Sequence, residues 1–255
     1  MTSTIHNNLK YFNTISLDEM NIISLLRRYD QKFTLNTSQF QEVFPLLAKD
    51  YHCLTIDNQQ LFEYTTDYYD SYDYLMFHNH HNGKLNRYKI RFRDYNNTKN
   101  SFLEVKFKTN KGETIKSRQE IAYKSREFNL ENNKFIEENS PYNPSNLDKK
   151  ISNTFQRITL ANVANKERVT IDNTIYFSNK KENKTLQNLV VVEIKKSKNN
   201  MDSVVNQLLK INGIRPTSFS KYAIGSALIN PNLKYNRFKK KLSYLNTIHD
   251  GTIWH

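Results

Sequence analysis

Lys84-Leu85-Asn86-Arg87-Tyr88-Lys89-Ile90-Arg91-Phe92-Arg93 alternates strictly, with Arg87, Lys89, Arg91 and Arg93 on one side of an extended chain and Tyr88, Ile90 and Phe92 on the other. A period of two is that of a β-strand whose one face is buried. The other face is usually a mixture of polar groups, and here it is wholly cationic. The next stretch, Phe102-Leu103-Glu104-Val105-Lys106-Phe107-Lys108, repeats the pattern with Glu104, Lys106 and Lys108 on its polar side. A third places Thr114, Lys116, Arg118 and Glu120 together. Asn96-Asn97-Thr98-Lys99-Asn100 and Asn110-Lys111-Gly112-Glu113 lie between them and are rich in turn formers, so residues 84–123 read as three consecutive strands.

Outward from this core the same alphabet recurs. Arg28-Tyr29-Asp30-Gln31-Lys32-Phe33 reads as a strand, and further strands fall near 51–57, 62–70, 154–161, 167–177 and 187–196. Arg157 sits in one of them. Arg168, Thr170 and Asp172 share a face in the next, and Glu193 and Lys195 share a face beside Val190, Val192 and Ile194. Ser16-Leu17-Asp18-Glu19 is a capping box opening a helix through about Arg27, and Ser38 with Gln41 caps a second. A polar helix near 127–138, a loop bounded by Pro141 and Pro144, and helices near 202–211 and 217–229 complete the reading. The expected organisation is a helical extension over 1–27, one domain over 28–229 and a basic tail over 230–255. The expected fold is α+β and mainly antiparallel.

Composition sets the limits. A chain of 255 residues can be one large β domain, and 5 Gly and 5 Pro argue against a linker-rich or disordered protein. The net charge of +13 asks for an anionic partner. The single cysteine, Cys53, excludes an internal disulfide and a Cys-based zinc site, and reads as a small buried hydrophobe in a reducing compartment. No apolar run has the length of a membrane span, and the N-terminal residues do not read as a secretory signal, so the expected location is the cytoplasm.

Like charges directly across strands repel. Cations in strict alternation on neighbouring strands therefore need open water or a polyanion, and closing the sheet with this face inward gives a tunnel lined by Lys and Arg. Phosphate suits that lining, since Arg offers a planar fork and Lys a compact charge. Glu104 and Glu193 lie among the cations. Each either pairs with a neighbouring Lys or Arg or holds a divalent metal, and a nucleic-acid groove would need neither carboxylate in its floor.

These stretches resemble a known family. Arg28-Tyr29-Asp30-x-Lys32-Phe33, Arg87-x-Lys89-x-Arg91-x-Arg93, Phe102-Leu103-Glu104-Val105-Lys106, Lys116-x-Arg118, Arg157, Arg168-Val169-Thr170-Ile171-Asp172, Val192-Glu193-Ile194-Lys195 and Ser220-Lys221-Tyr222-x-x-Gly225 are together similar to the VTC domain. That family belongs to the CYTH-like, or triphosphate tunnel metalloenzyme, superfamily. The resemblance implies an eight-stranded antiparallel tunnel, a closed barrel with flanking helices. It also implies transfer of the ATP γ-phosphate to a growing polyphosphate chain with Mn2+ or Mg2+. It makes Lys32, Arg91, Arg93, Arg157 and Lys221 the catalytic set. Arg87, Lys89, Lys106, Lys108, Lys116, Arg118, Arg168, Lys195 and Ser220 become phosphate contacts, and Glu193 and Glu104 the metal carboxylates. Phe155 departs from the pattern, which often has Tyr two residues before the arginine matched by Arg157.

Other features have plainer readings. His78, His80 and His81 fall in an expected loop without zinc spacing. Tyr64, Tyr68, Tyr69, Tyr72 and Tyr74 either stack bases or, as Tyr commonly does, pack a strand. Lys239-Lys240-Lys241 reads as part of a solvated tail. The competing functions are a triphosphate hydrolase of the same superfamily, disfavoured because Tyr29-Asp30-Gln31-Lys32 lacks a Glu-x-Glu-x-Lys strand, and a non-catalytic binder of polyphosphate or inositol phosphates. A nucleic-acid partner rests on charge alone, and none is expected. A membrane-anchored partner stays open.

Overall fold

The computed structural model describes residues 8–22, 28–197 and 203–249. In chain order it builds β1 (Asn13–Ile15), α1 (Leu17–Ile22), β2 (Arg28–Asn36), α2 (Thr37–Val43), a 3-10 segment Phe44–Lys49, β3 (His52–Leu54), β4 (Phe62–Ser71), α3 (Leu75–His81), β5 (Arg87–Tyr95), β6 (Asn100–Lys108), β7 (Thr114–Ile121), α4 (Leu130–Asn139), β8 (Leu147–Asn162), β9 (Glu167–Ser178), β10 (Asn183–Leu186), β11 (Leu189–Ser197), α5 (Val204–Ile211), α6 (Lys221–Ile229) and α7 (Lys239–His249). The capping box at Ser16 forms as read, with the Ser16 amide donating to Glu19 Oε2 at 2.8 Å and the Glu19 amide donating to Ser16 Oγ at 3.2 Å. Residues 23–27, the rest of that expected helix, lie outside the described residues. The second helix is capped two residues earlier than expected, by Asn36 with Gln39, because Asn36 ends β2 extended and its Oδ1 meets the Gln39 amide.

Eight strands pair in the order β2-β11-β9-β8-β4-β5-β6-β7, antiparallel throughout. Register shifts at Tyr68/Tyr69 and at Thr154/Gln156 bend the sheet where β8 meets its two neighbours. The expected barrel does not close: among the described residues no ladder joins β7 to β2. The free edge of β2 is occupied instead. The Thr217 amide donates to the Lys32 carbonyl at 2.7 Å and the Tyr244 hydroxyl donates to the Thr34 carbonyl at 3.3 Å, so a loop and α7 take hydrogen bonds that a closing β7–β2 pairing would use.

The apolar faces point away from the cationic ones. Phe33, Ile158, Val169, Ile171, Val192 and Ile194 form one core with Phe40, Val43, Val205 and Leu209 from α2 and α5. Ile90, Phe92, Leu103 and Val105 belong to a second core that includes Met76, Phe77 and Ile136 from α3 and α4. Each such buried side chain contributes about 1.5–3 kcal/mol, which fixes the register and holds the charged side chains on the opposite surface. Cys53 is buried, and burial pushes its thiol up to about 12, so it is the inert hydrophobe expected.

Two expectations fail here. The segment at His78–His81 is a helix, with Met76, Phe77 and His81 buried against Phe238 and Tyr222. The basic tail contains α7, whose Leu242, Leu245 and Ile248 are buried in the second core. Both were masked by charged or polar neighbours at positions that face outward. Among the described residues no helix is long and apolar enough to cross a membrane.

Candidate functional site

The alternation in β5, β6 and β7 places cations in transverse rows. Lys89 faces Lys106, which faces Lys116, and Arg87 faces Lys108, which faces Thr114. One row along, Arg91 faces Glu104, which faces Arg118. A cavity of about 280 Å3 opens over this surface, bounded across by Lys32 and Asp30 of β2 and Glu193 of β11 and capped by residues 217–220. Lys32 donates to the Phe219 carbonyl at 3.1 Å and Lys89 to Ser220 Oγ at 3.0 Å, so both tie the start of α6 to the sheet. Ser220 is also the N-cap of α6, accepting from the Ala223 amide.

Two carboxylates organise the adjoining cations. Glu104 is fully buried and ion-paired with both Arg91, at 2.5 Å, and Lys116. Burial pushes its carboxyl up, but Arg91, Arg93 and Lys116 outweigh that and hold it far below the usual carboxylate range. Asp172 receives both prongs of Arg157, at 2.5 and 2.7 Å, and the ammonium of Lys221. Burial again opposes ionisation there, and Arg157 and Lys221 overcome it. Lys221 is brought down to about 7, chiefly by burial. Its Nζ also lies 4.1 Å from the centre of the Phe155 ring, which carries Arg157 and Arg93 on its faces at 5.1 and 5.8 Å. The residue that departs from the family's tyrosine thus serves as a platform for three cations.

Arg93, Lys106 and Lys89 have no ion pair among the described residues. Arg93 donates from Nε to Thr66 Oγ1 at 3.1 Å. Lys106 has no hydrogen bond or ion pair among the described residues, and the charge of Arg91 together with its own burial keeps its pKa well below the ordinary lysine value. Burial, then Lys32 and Arg91, does the same to Lys89. Lys116, although paired with Glu104, falls to about 8, mainly through burial. Glu193 stands among them, 3.2 Å from Lys195 and 3.4 Å from Lys32. Burial raises its pKa, but Lys195 and Lys32 outweigh it, so it is ionised well below the usual range.

Among the described residues no group of three or more His, Cys, Asp or Glu could hold a metal ion. A hard divalent cation at a phosphate site needs less, often one or two carboxylates completed by phosphate oxygens and water. Glu193 and Asp30, which line the same cavity, fit that requirement. Glu104 does not, because it is fully buried outside the cavity lining with its oxygens held by Arg91 and Lys116, whereas Glu193, though paired with Lys32 and Lys195, faces the cavity. The metal role expected for Glu104 gives way to pairing.

Of the expected site residues, Lys32, Arg87, Lys89, Lys106, Lys108, Glu193 and Ser220 line the cavity. Arg91, Arg93, Lys116, Arg157, Lys195 and Lys221 adjoin it through the two carboxylate hubs, Phe155 and Glu193. Arg118 shares their face and lies over Phe102 at 5.0 Å. Arg168 is not brought into the cavity, and its guanidinium donates to the Met20 carbonyl at 2.9 Å. Sequence reasoning missed the organising role of Asp172, although its place on the Arg168–Thr170 face was readable. It also missed His80 and Lys241, which line the cavity from α3 and α7 and carry no periodic signal.

The VTC domain family matches residues 27–230. No curated protein sequence matches significantly. Among solved structures, a Hippeastrum protein described as an adenylyl cyclase with a dominant triphosphatase activity is 13% identical, with 79% of this chain and 96% of that one covered and a TM-score of 0.50. A Bacillus halodurans protein described as an adenylate cyclase is 12% identical over 82% of this chain and 95% of that one, with a TM-score of 0.48. The first of these likenesses concerns the fold alone. The family match spans every strand of the sheet path and the helix that carries Lys221, and by it this chain belongs to the VTC domain family.

Proposed function

We propose that this chain is a polyphosphate polymerase that moves the γ-phosphoryl group of ATP onto the end of a polyphosphate chain. The observation that carries the reading is the row Lys89–Lys106–Lys116 beside the ionised Glu193. It is a built cationic surface with an unpaired centre and a carboxylate at its margin.

The bond between the γ-phosphorus and the β,γ-bridging oxygen breaks, and its electron pair leaves with ADP. The new P–O bond forms to a terminal phosphate oxygen of the chain, which is already ionised near neutral pH, so no general base is required. What the protein must supply is position and charge. Arg91 and Arg157, fixed by Glu104 and Asp172, present oriented guanidinium groups without reorganising. Lys106, Lys89 and Arg93 donate to phosphate oxygens, and Lys32 and Lys221 close the site from β2 and α6. Glu193, with Asp30, would hold the divalent cation, Mn2+ or Mg2+, which when bound neutralises charge on the phosphates.

The test is incubation with ATP, Mn2+ and a short polyphosphate primer, read by a polyphosphate gel and by ADP release. Chain growth matched to ADP is expected, with Glu193→Gln losing turnover by ~100-fold or more while melting within a few degrees of the wild type. Release of inorganic phosphate without chain growth would assign the site to hydrolysis, and neither product would leave a binder of polyphosphate or inositol phosphates.

A further inference from the structure

Lys89, Lys106 and Lys116 share one transverse row of β5, β6 and β7, and their three amines are not equivalent. Lys116 is ion-paired with Glu104, and Lys89 donates to Ser220 Oγ at 3.0 Å. Lys106, on the middle strand, has no hydrogen bond or ion pair among the described residues, yet it lines the cavity and is half-buried in its wall. The central amine of the row is therefore the one left without a partner. It has a lysine on either side and Arg91 one row along.

This crowding has two chemical consequences. The first concerns the proton. An ammonium among cations is disfavoured, and lysine gives up its proton readily in such places. Arg91, then burial, then Arg93 lower the pKa of Lys106, and Glu104 and Glu193 offset only part of this. Lys106 thus presents an unprotonated amine at a pH where exposed lysines are charged. The second consequence concerns what that amine can become. A neutral nucleophile whose neighbours are cations is stabilised by turning into an anion. Carbon dioxide makes that conversion without a leaving group, and it is small enough to enter a cavity of about 280 Å3.

We propose that Lys106 is a carbon dioxide acceptor, forming a carbamate on Nζ that lies between Lys89 and Lys116 and fills the cationic row when no phosphate is bound. The Nζ lone pair forms an N–C bond to the carbon of CO2, and one C–O π pair moves onto oxygen. The nitrogen releases one proton, to solvent or to Lys89, whose charged form the new anion favours. The product is –NH–COO−, and nothing is oxidised or reduced. The inference does not depend on the polyphosphate reading, because it needs only the free amine and its cationic neighbours. Where that reading holds, carbamate and phosphate exclude one another, and dissolved CO2 opposes phosphate binding.

The experiment records carbon NMR of the full chain with isotope-labelled bicarbonate at pH 8, the ionic strength being held with chloride. It uses the wild type, Lys106→Arg, Lys106→Met and Lys89→Arg. A carbamate signal lost in both Lys106 variants and kept in Lys89→Arg is the expected result, since an arginine keeps the charge and stays protonated. Tripolyphosphate titrations accompany the spectra. Saturating bicarbonate should weaken binding about tenfold in the wild type, the loss of one charge-assisted contact, and change it less than about twofold in Lys106→Arg. Absence of any signal that depends on Lys106, or one that depends on Lys89 instead, would overturn the proposal. So would an equal weakening in Lys106→Arg, because bicarbonate would then be competing as a free anion. A wild type that forms the carbamate but binds no tripolyphosphate would overturn the proposed function and leave the carbamate standing.

Discussion

Lys89 and Lys106 stand directly opposite one another across the β5–β6 ladder, and among the described residues neither has a carboxylate within ion-pair distance. Directly opposed like charges destabilise a sheet, so this protein keeps an unfavourable contact in the middle of its most regular region. The contact makes sense as a site held ready for an anion, and it sets stability against binding.

Replacing Lys106 with Met keeps the aliphatic stem and removes the repulsion from Lys89, Lys116 and Arg91. The ligand-free variant should be more stable by ~0.5 kcal/mol, a rise of about 1–2 °C in melting temperature. Its affinity for tripolyphosphate should drop at least tenfold, the cost of one charge-assisted contact. Calorimetric melting and titration on the same preparation check both; a destabilised variant that binds normally would place the phosphates elsewhere.

Arg91 and Arg93 are both buried. The two differ in what their loss leaves behind. Arg91→Ala strands Glu104 with only Lys116, and should cost ~3 kcal/mol of stability. Arg93→Ala removes a hydrogen bond to Thr66 and contacts with Tyr64 and Phe155, at ~1 kcal/mol, and strands no charge. Urea unfolding distinguishes them, and Arg91→Ala combined with Glu104→Gln should recover part of the loss.

Phosphate binding should take up protons. In the free protein Lys221 and Lys116 titrate near about 7 and about 8, and burial is the foremost cause for both. A polyanion favours the charged form, so their pKa values rise on binding. Between pH 7 and 9 the complex therefore holds more protons than the separate partners, and affinity falls as pH rises through that window. Below about pH 6 both lysines are already charged and the uptake from them vanishes. Titration calorimetry at pH 8 in two buffers of different ionisation enthalpy reads the proton count; no uptake would mean that neither lysine meets the ligand.

Gly225 lies inside α6, where a β-carbon would come 2.5 Å from the Phe177 ring and 2.8 Å from Ile151 Cδ1. Gly225→Ala must push α6 off β8 and β9, at a cost of ~1–3 kcal/mol. Because α6 begins with Ser220 and Lys221, the same shift should weaken phosphate binding, which a combined melting and titration experiment shows. Full affinity in a destabilised variant would uncouple the helix from the site.

Much of this was legible in the sequence because a strand's period is unforgiving. The β5, β6 and β7 alternation assigned Arg87, Lys89, Lys106 and Lys116 to one surface without reference to their partners, and Ser220-Lys221 with Gly225 marked the helix that meets it. What could not be read was the pairing across strands. Nothing local in Asp172 says that it will receive Arg157 and Lys221, and nothing in Glu104 separates a buried hub from a metal ligand. The gap between β7 and β2 was equally hidden, since the group that meets the Lys32 carbonyl there, the Thr217 amide, lies far away in sequence. Lys241 was obscured by its company: two exposed lysines beside it made an anchored helix look like a tail.

The β2–β11 ladder joins Lys32 to Glu193, on strands far apart in the sequence. Contacts so distant in sequence are slow to form, because a long loop must close before any pairing rewards it. During synthesis, β5 to β7 emerge and pair as a local meander well before β11 and α6 exist. A ribosome-bound fragment thus displays the lysine rows but lacks the wall that makes them a cavity. Nascent chains should collect polyanions loosely and surrender them as the last strand docks. Refolding of the purified protein should accordingly show a slow final phase, the one in which Lys32 and Glu193 meet.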